Sequence, residues 1–459
     1  MARPRSVYAC TECGGQQPRW LGRCPECGAW NTLVEEAVGG AGGSAGVSGL
    51  HVSSAEAGKP LRLGEIQADG APRMETGIPE LDRVLGGGLV PGSVVLLAGE
   101  PGVGKSTLAL QIAASARSDA PILYVTGEES AEQVRMRADR LPGFPADLLV
   151  LPETQVEALA APWREHDPAV VIVDSIQTLR SERVESAPGS VAQVRESAAL
   201  LAAAAKRHGA ALVLVGHVTK EGAIAGPRVL EHMVDVVLGF EGDRQHPFRL
   251  LRASKNRFGS TQEVGVFSMG SAGLEGVENP SELFLAERRG GAPGSCIVPL
   301  LEGTRPMLVE IQALVAPAGY GTARRTCLGV DDARLALMLA VLDRRTDVDV
   351  LSRDVYVNVA GGVRSGEPGA DLGLALALAS SRLDKPLPTD VAACGEVGLG
   401  GEVRRVGRID LRVREAVRLG FHRVLLPERV VAEARPPAGA ELISVGEVAD
   451  AVRWLRAQA

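Results

Sequence analysis

The chain has 459 residues, 45% apolar and 23% charged, with a formal net charge of −7. That length has room for about three domains of ~150 residues. The acidic balance excludes a uniformly basic nucleic-acid coat but leaves local basic patches open. Aromatic residues are only 3% of the chain, so its cores must be aliphatic. No apolar run approaches the ~18 residues of a membrane span. Met1-Ala-Arg-Pro-Arg-Ser6 lacks the apolar segment that a secretory signal carries behind its basic residues. A cytoplasmic protein without membrane contact is expected.

The first element is a pair of knuckles, Cys10-x-x-Cys13 and Cys24-x-x-Cys27, each followed by a glycine, Gly14 and Gly28. Four thiolates at this spacing suit tetrahedral Zn²⁺, and two copies so close together favour a zinc ribbon over a redox pair. Residues 1–34 are expected to form this metal-stabilised module. Arg19, Trp20, Arg23 and Trp30 lie in it, suited either to touching DNA or a protein or to packing over the metal. Cys296, Cys327 and Cys394 are isolated and read as buried apolar fillers. Residues 35–61, with the run Gly39-Gly-Ala-Gly-Gly-Ser-Ala-Gly, read as a flexible linker.

From residue 62 to 284, apolar strands alternate with helical segments, which implies a largely parallel sheet covered on both faces. The expected strands are Val94 to Ala98, Ile122 to Val125, Val170 to Val173, Leu212 to Val215 and Val234 to Leu238. The first leads into Gly99, Glu100, Pro101, Gly102, Val103, Gly104, Lys105, Ser106 and Thr107, followed by a helix. Strand, glycine loop and helix are the context of a P-loop that cradles ATP phosphates. Lys105 is expected to reach the β- and γ-phosphates, and Ser106 to ligate Mg²⁺. Asp174 ends an apolar strand and is expected to support the same Mg²⁺. Glu128 and Glu129 follow the second strand at its nucleotide-facing end, and one of them should orient the attacking water. Ser190 and Gly209 bound an expected long helix. His217 and Thr219, after the fourth strand, lie where a γ-phosphate sensor would sit. Arg249-Leu-Leu-Arg-Ala-Ser-Lys255-Asn-Arg257-Phe-Gly259 carries four positive charges and no acid. Such a run could meet DNA phosphates, reach a neighbour's γ-phosphate or form a solvated face.

The four-cysteine finger, the loop Gly99 to Thr107, Thr126-Gly-Glu-Glu-Ser130 and Lys255-Asn-Arg-Phe-Gly259 together resemble the RadA (Sms) family of bacterial DNA repair proteins. Thr76-Gly-Ile-Pro-Glu-Leu-Asp and Gly216-His-Val-Thr-Lys fit the same resemblance. It implies a RecA-like, hexameric ATP-driven motor on single-stranded and branched DNA, acting alongside the RecA recombinase. It also implies that Lys255 and Arg257 couple ATP to DNA, by contact with nucleotide in trans or with DNA.

Residues 285–459 form a second α/β unit. Pro299-Leu-Leu-Glu-Gly-Thr-Arg-Pro, Gly366-Glu-Pro-Gly-Ala-Asp-Leu-Gly and Cys394-Gly-Glu-Val-Gly-Leu-Gly-Gly resemble the proteolytic domain of Lon proteases, which use a Ser–Lys dyad. Asp371 is expected at the serine position, and no lysine follows Lys385, so a scaffold without protease activity is expected. The seven arginines from Arg404 to Arg423 could face DNA or form a mixed-charge helix surface. The expected fold is therefore α/β, a RecA-like P-loop core plus a Lon-protease-like domain and a small zinc ribbon. The function expected is a DNA translocase, with a nucleotide-gated DNA- and RecA-binding scaffold as the rival.

Overall fold

The computed structural model describes residues 5–10, 16–26, 28–38, 73–141, 143–145, 147–217, 227–242, 248–286, 288–319, 323–360, 366–433 and 436–458. The chain divides between Val277 and Glu278 into two compact units. This break lies before the expected one at 284/285, because the helix Pro280–Leu285 packs on the long strand Arg305–Pro317 of the second unit.

The ribbon is a three-stranded antiparallel sheet, β1 (Arg5–Cys10), β2 (Gln16–Gln17) and β3 (Leu33–Val38), in the order β2-β1-β3. Because Arg5 pairs with Val38, the module runs four residues past the expected end at 34. Cys10, Cys24 and Leu33 form its small buried cluster. Cys13 and Cys27 lie outside the described residues, as do Gly14, the glycine-rich run of the linker and residues 62–72.

The rest of the first unit begins with α1 (Pro79–Leu85), β4 (Val94–Gly99), α2 (Lys105–Ser115), β5 (Ile122–Thr126) and α3 (Ala131–Ala138). It continues with β6 (Leu149–Pro152), α4 (Ala160–His166), β7 (Val170–Asp174), α5 (Val191–His208), β8 (Ala211–His217) and α6 (Pro227–Met233). It ends with β9 (Val236–Glu241), β10 (Phe248–Asn256), β11 (Val264–Gly270) and β12 (Gly273–Gly276). Strands β9-β4-β8-β7-β5-β6 are parallel, and β10 to β12 extend the sheet antiparallel beyond β9. All five expected strands are present. They read as unbroken apolar runs because both faces are buried: Val95 and Leu97 enter one core, Val94, Leu96 and Ala98 the other. Helix α5 starts at Ser190, whose side chain accepts from the Gln193 N–H, and stops at Gly209 in the left-handed region.

The second unit carries α7 (Pro280–Leu285), β13 (Ser295–Glu302), β14 (Arg305–Pro317), β15 (Arg325–Leu328), α8 (Asp332–Arg345), β16 (Arg353–Val359) and α9 (Asp371–Leu383). After these come β17 (Val391–Ala393), β18 (Glu396–Val397), β19 (Val403–Arg404), α10 (Ile409–Arg418), β20 (Arg423–Pro427), α11 (Glu428–Val431), β21 (Glu441–Val445) and α12 (Val448–Ala457). Its seven-stranded mixed sheet has the order β15-β16-β14-β13-β17-β20-β21. Helix α9 is buried on all sides from Asp371 to Ser380, consistent with its Leu/Ala alternation. Cys296 and Cys394 are fully buried, and burial pushes both thiols up to about 12, so they are apolar fillers as expected.

Candidate active site

The site forms where β4, β5, β7 and β8 end side by side. Gly104 caps α2 with φ 115°, a conformation glycine adopts without strain. The first turn of α2, Lys105 to Thr107, then presents backbone N–H groups that have no acceptor within the helix. That cradle fits an oxyanion such as a phosphate. Lys105 is 3% exposed, and its Nζ donates to the carbonyls of Gly99 (2.8 Å) and Glu100 (3.0 Å). Burial lowers its pKa, and the carboxylates of Asp174 and Glu128 draw it back up. The amine is thus held at the loop, in a field of two acids.

Asp174 ends β7, and its Oδ2 accepts the Tyr124 hydroxyl at 2.7 Å. Arg137 Nη1 lies 4.0 Å from the same oxygen. The Asp174–Ser175 peptide is cis. Ser106 opens the neighbouring helix, so a hydroxyl and a carboxylate stand at adjoining element ends with hard-oxygen chemistry suited to Mg²⁺.

The two glutamates part company here. Glu129 is ion-paired with Arg137, and its backbone N–H and carbonyl are both bound by the Thr126 hydroxyl. Glu128 turns instead toward the strand ends: its Oε1 accepts from Ser175 Oγ (2.6 Å) and stands 3.3 Å from His217 Nε2. Among the described residues, His217 Nδ1 and Gln177 Oε1 nearby are buried with no hydrogen-bond partner, and Arg137 Nη1, beside Asp174, makes no hydrogen bond. His217 therefore lies with the site, while Thr219 falls outside the described residues.

Lys255 and Arg257 are not brought to this site. Lys255 pairs across the sheet with Val237, which pairs with Leu96, and Arg257 N donates to the carbonyl of Asp235. Asp235 in turn accepts from Val94 N at the start of β4. The Arg257–Gly259 turn thus sits at the opposite end of β4 from Gly99, roughly 17 Å away at strand rise, with Lys255 part-way between, level with Leu96. Lys255 Nζ donates to the carbonyls of Glu231 (2.6 Å) and Val234 (2.7 Å), anchoring the end of α6. Asn256 caps α1 through the Val84 and Leu85 carbonyls. Arg257 keeps a half-exposed side chain and a 3.3 Å contact to Asp235. Arg249, at the other end of the same basic run, is buried, and its Nε donates to the Val103 carbonyl in the P-loop. Its place was readable only from the antiparallel return of β10 on β9, which carries the start of β10 to the nucleotide end.

The comparisons with known proteins agree with this geometry. The AAA domain family matches residues 59–223, the rubredoxin metal-binding domain residues 8–35, and the C-terminal proteolytic domain of Lon protease residues 340–436. The DNA repair protein RadA of Bacillus subtilis is 49% identical over 454 residues, 99% of either chain. That of Pseudomonas aeruginosa is 50% identical over 453 residues, 98% of this chain and 99% of the relative, and that of Halalkalibacterium halodurans is 49% identical over the same shares. The chain belongs to the RadA family of DNA repair proteins. Its AAA domain is a nucleotide-binding ATPase core, and its ribbon a metal-binding module.

In this RadA-family chain, the Lon-like unit fixes the surroundings of Asp371 and of the arginine-rich run. Asp371 does not face the basic residue of α10. It is 1% exposed, takes Arg334 Nε at 2.6 Å and a second Arg334 nitrogen on its other oxygen, and accepts from Val397 N. The position facing α10 is Gly369, where a Cβ would lie 3.3 Å from Arg412 Nη1. Gly369 lies inside the short turn Pro368–Ala370, and Asp371 opens α9 directly after it. The Gly369–Arg412 pair contains neither nucleophile nor base. The arginine-rich run is also not a free basic surface. Arg412 is buried against Glu367, Arg404 pairs with Glu402, Arg405 with Glu433, Arg418 with Glu415 and Arg423 with Asp390. Among the described residues no helix is long and apolar enough to cross a membrane.

Proposed function

We propose that the chain is an ATP- and Mg²⁺-dependent translocase on single-stranded and branched DNA, promoting branch migration in RecA-mediated recombination and repair as a homohexamer. The placement of the Arg257–Gly259 turn carries this reading. Side chains at the far end of β4 can meet a triphosphate only on a neighbouring copy, which ties hydrolysis to assembly. Arg257, half-exposed and loosely paired, is suited to that reach, whereas Lys255 holds α6 in its own chain.

In this reading Gly99 to Thr107 bind the phosphates and Lys105 leaves its two carbonyls to pair with the β- and γ-oxygens. Ser106 and Asp174 hold Mg²⁺, which supplies charge neutralisation at the transferred phosphoryl group. Glu128 orients the water through Oε2, since Ser175 and His217 engage Oε1. Glu129 serves Arg137. Cys10, Cys13, Cys24 and Cys27 hold Zn²⁺ in the ribbon, and the Lon-like unit is a scaffold with no protease activity. Arrangement of the domains as ribbon, linker, ATPase core and scaffold belongs to the same proposal, as does a cytoplasmic location.

The test is ATP hydrolysis by the purified protein with and without single-stranded DNA, with Lys105→Ala as control. Stimulation by DNA that vanishes in the variant supports the motor. Hydrolysis indifferent to DNA, together with DNA and RecA binding, would favour the gated scaffold.

A further inference from the structure

The ribbon exposes more aromatic surface than a module of its size would leave bare without use. Trp30 is 70% exposed and Trp20 is 53% exposed. Both indoles border the same backbone point: a Cβ at Gly22 would meet Trp20 Cη2 at 3.7 Å and Trp30 Cζ3 at 3.9 Å.

The backbone beneath them is fixed. Arg23 and Trp30 form an antiparallel bridge, Asn31 N donates to the Gly22 carbonyl and Cys24 N to that of Ala29. Arg23 Nε donates to the Gly28 carbonyl at 2.8 Å, and its guanidinium carbon stands 5.7 Å from the Trp30 ring centroid. A cation thus lies beside one exposed indole, and Arg19 precedes the other. Among the described residues neither Arg19 nor Arg23 has a carboxylate partner.

We propose that Trp20, Trp30, Arg19 and Arg23 form a stacking platform for single-stranded DNA. Every base offers a π-face, so two exposed, pre-positioned indoles can stack bases without reading sequence. The two guanidinium groups complement the phosphates that run past the bases. A protein partner would use the indoles equally, but arginines beside them with no carboxylate partner among the described residues favour a polyanion. The platform depends on the translocase reading only for the identity of the ligand.

The chain's four tryptophans make the test direct. Trp163 is buried at 1% exposure and Trp454 is partly buried, so the ribbon pair dominates solvent-exposed emission. Titrating the full-length protein with oligo(dT), without nucleotide, is expected to quench tryptophan emission. Trp30→Ala should remove most of the quench and weaken oligonucleotide binding about tenfold, the scale of one lost base stack. Trp30→Phe should retain the affinity, which a mere folding defect in the alanine variant would not predict. Arg19→Ser should leave the quench amplitude and flatten the salt dependence of binding. Unchanged emission on adding DNA, or equal affinity in Trp30→Ala, overturns the platform. Quenching by RecA but not by oligo(dT) overturns it too, in favour of a protein-docking face. DNA-stimulated hydrolysis without a quench would sink the platform alone. A quench with hydrolysis indifferent to DNA would sink the translocase alone.

Discussion

The two units each place a glycine-bearing turn before a helix that enters the core, and they treat charge there in opposite ways. Ahead of α2, Lys105 rests on carbonyls it can leave, Glu128 has one oxygen unengaged by Ser175 and His217, and Gln177 Oε1 and His217 Nδ1 are buried without a hydrogen-bond partner among the described residues. Ahead of α9, every strong charge is closed: Asp371 on Arg334 and Val397, Glu367 on Arg412. Unsatisfied buried groups cost about 1–3 kcal/mol each, so a fold keeps them where a ligand or a reaction will use them. The Lon-like unit fills the same kind of place with ion pairs.

That contrast is sharpest at Lys105. Lys105→Ala removes a preorganised cation and is expected to lower ATP hydrolysis on the order of 10³-fold, with circular dichroism unchanged. Phosphate release measured in saturating ATP checks it, and a fully active variant would remove the P-loop assignment.

Next in size is the pair of glutamates. Glu128→Gln is expected to cost about 10²–10³-fold in kcat with nucleotide affinity retained, as loss of a water-orienting carboxylate should. Glu129→Gln should cost less than about tenfold, because that side chain serves Arg137 and does not face the reacting centre. Equal losses in the two variants would break the distinction drawn from their contacts.

In the closed unit the expected loss is of stability. Arg412→Met leaves the partly buried Glu367 with its Leu301 N–H bond but without its cation, which should cost about 1–3 kcal/mol. Adding Glu367→Leu should recover most of it, since replacing both charges by apolar groups is often neutral or better. Urea denaturation of the single and double variants measures both. No recovery in the double variant would mean that the pair does more than neutralise itself.

What could be read from sequence follows the range of each interaction. The P-loop, the strands and the α5 boundaries are encoded within about ten neighbouring residues, through glycine spacing, apolar runs and a serine cap. The choice between Glu128 and Glu129 is not: Ser175 and His217 lie 47 and 89 residues away. The same holds for the run Arg404 to Arg423, which looks basic in sequence because Glu367 is 45 residues from Arg412 and Asp390 is 33 from Arg423. The surroundings of Asp371 are equally distant in sequence, since it opens α9 against Arg334, while Gly369, two residues earlier, lies beside Arg412. For Lys255 and Arg257, only the register of β10 against β9 and β4 shows that they stand away from Gly99 and the loop that follows it.

The smallest effect tests the open site most finely. Ser175→Ala removes one 2.6 Å hydrogen bond from Glu128 and leaves the His217 contact. A single hydrogen bond to a charged group is worth about 1.5 kcal/mol or somewhat more, and the surviving contact should hold part of that, so kcat should fall by about 3–10-fold. KM for ATP should not move, because Ser175 touches Glu128, the carboxylate proposed to orient water, and not the phosphate loop. A loss as large as that of Glu128→Gln would mean that Ser175 itself meets the reacting groups. No loss at all would mean that His217 alone sets the carboxylate, and His217→Ala would then carry the whole effect. Graded loss from single contacts is what an open site predicts, whereas a closed ion pair fails all at once when either partner goes.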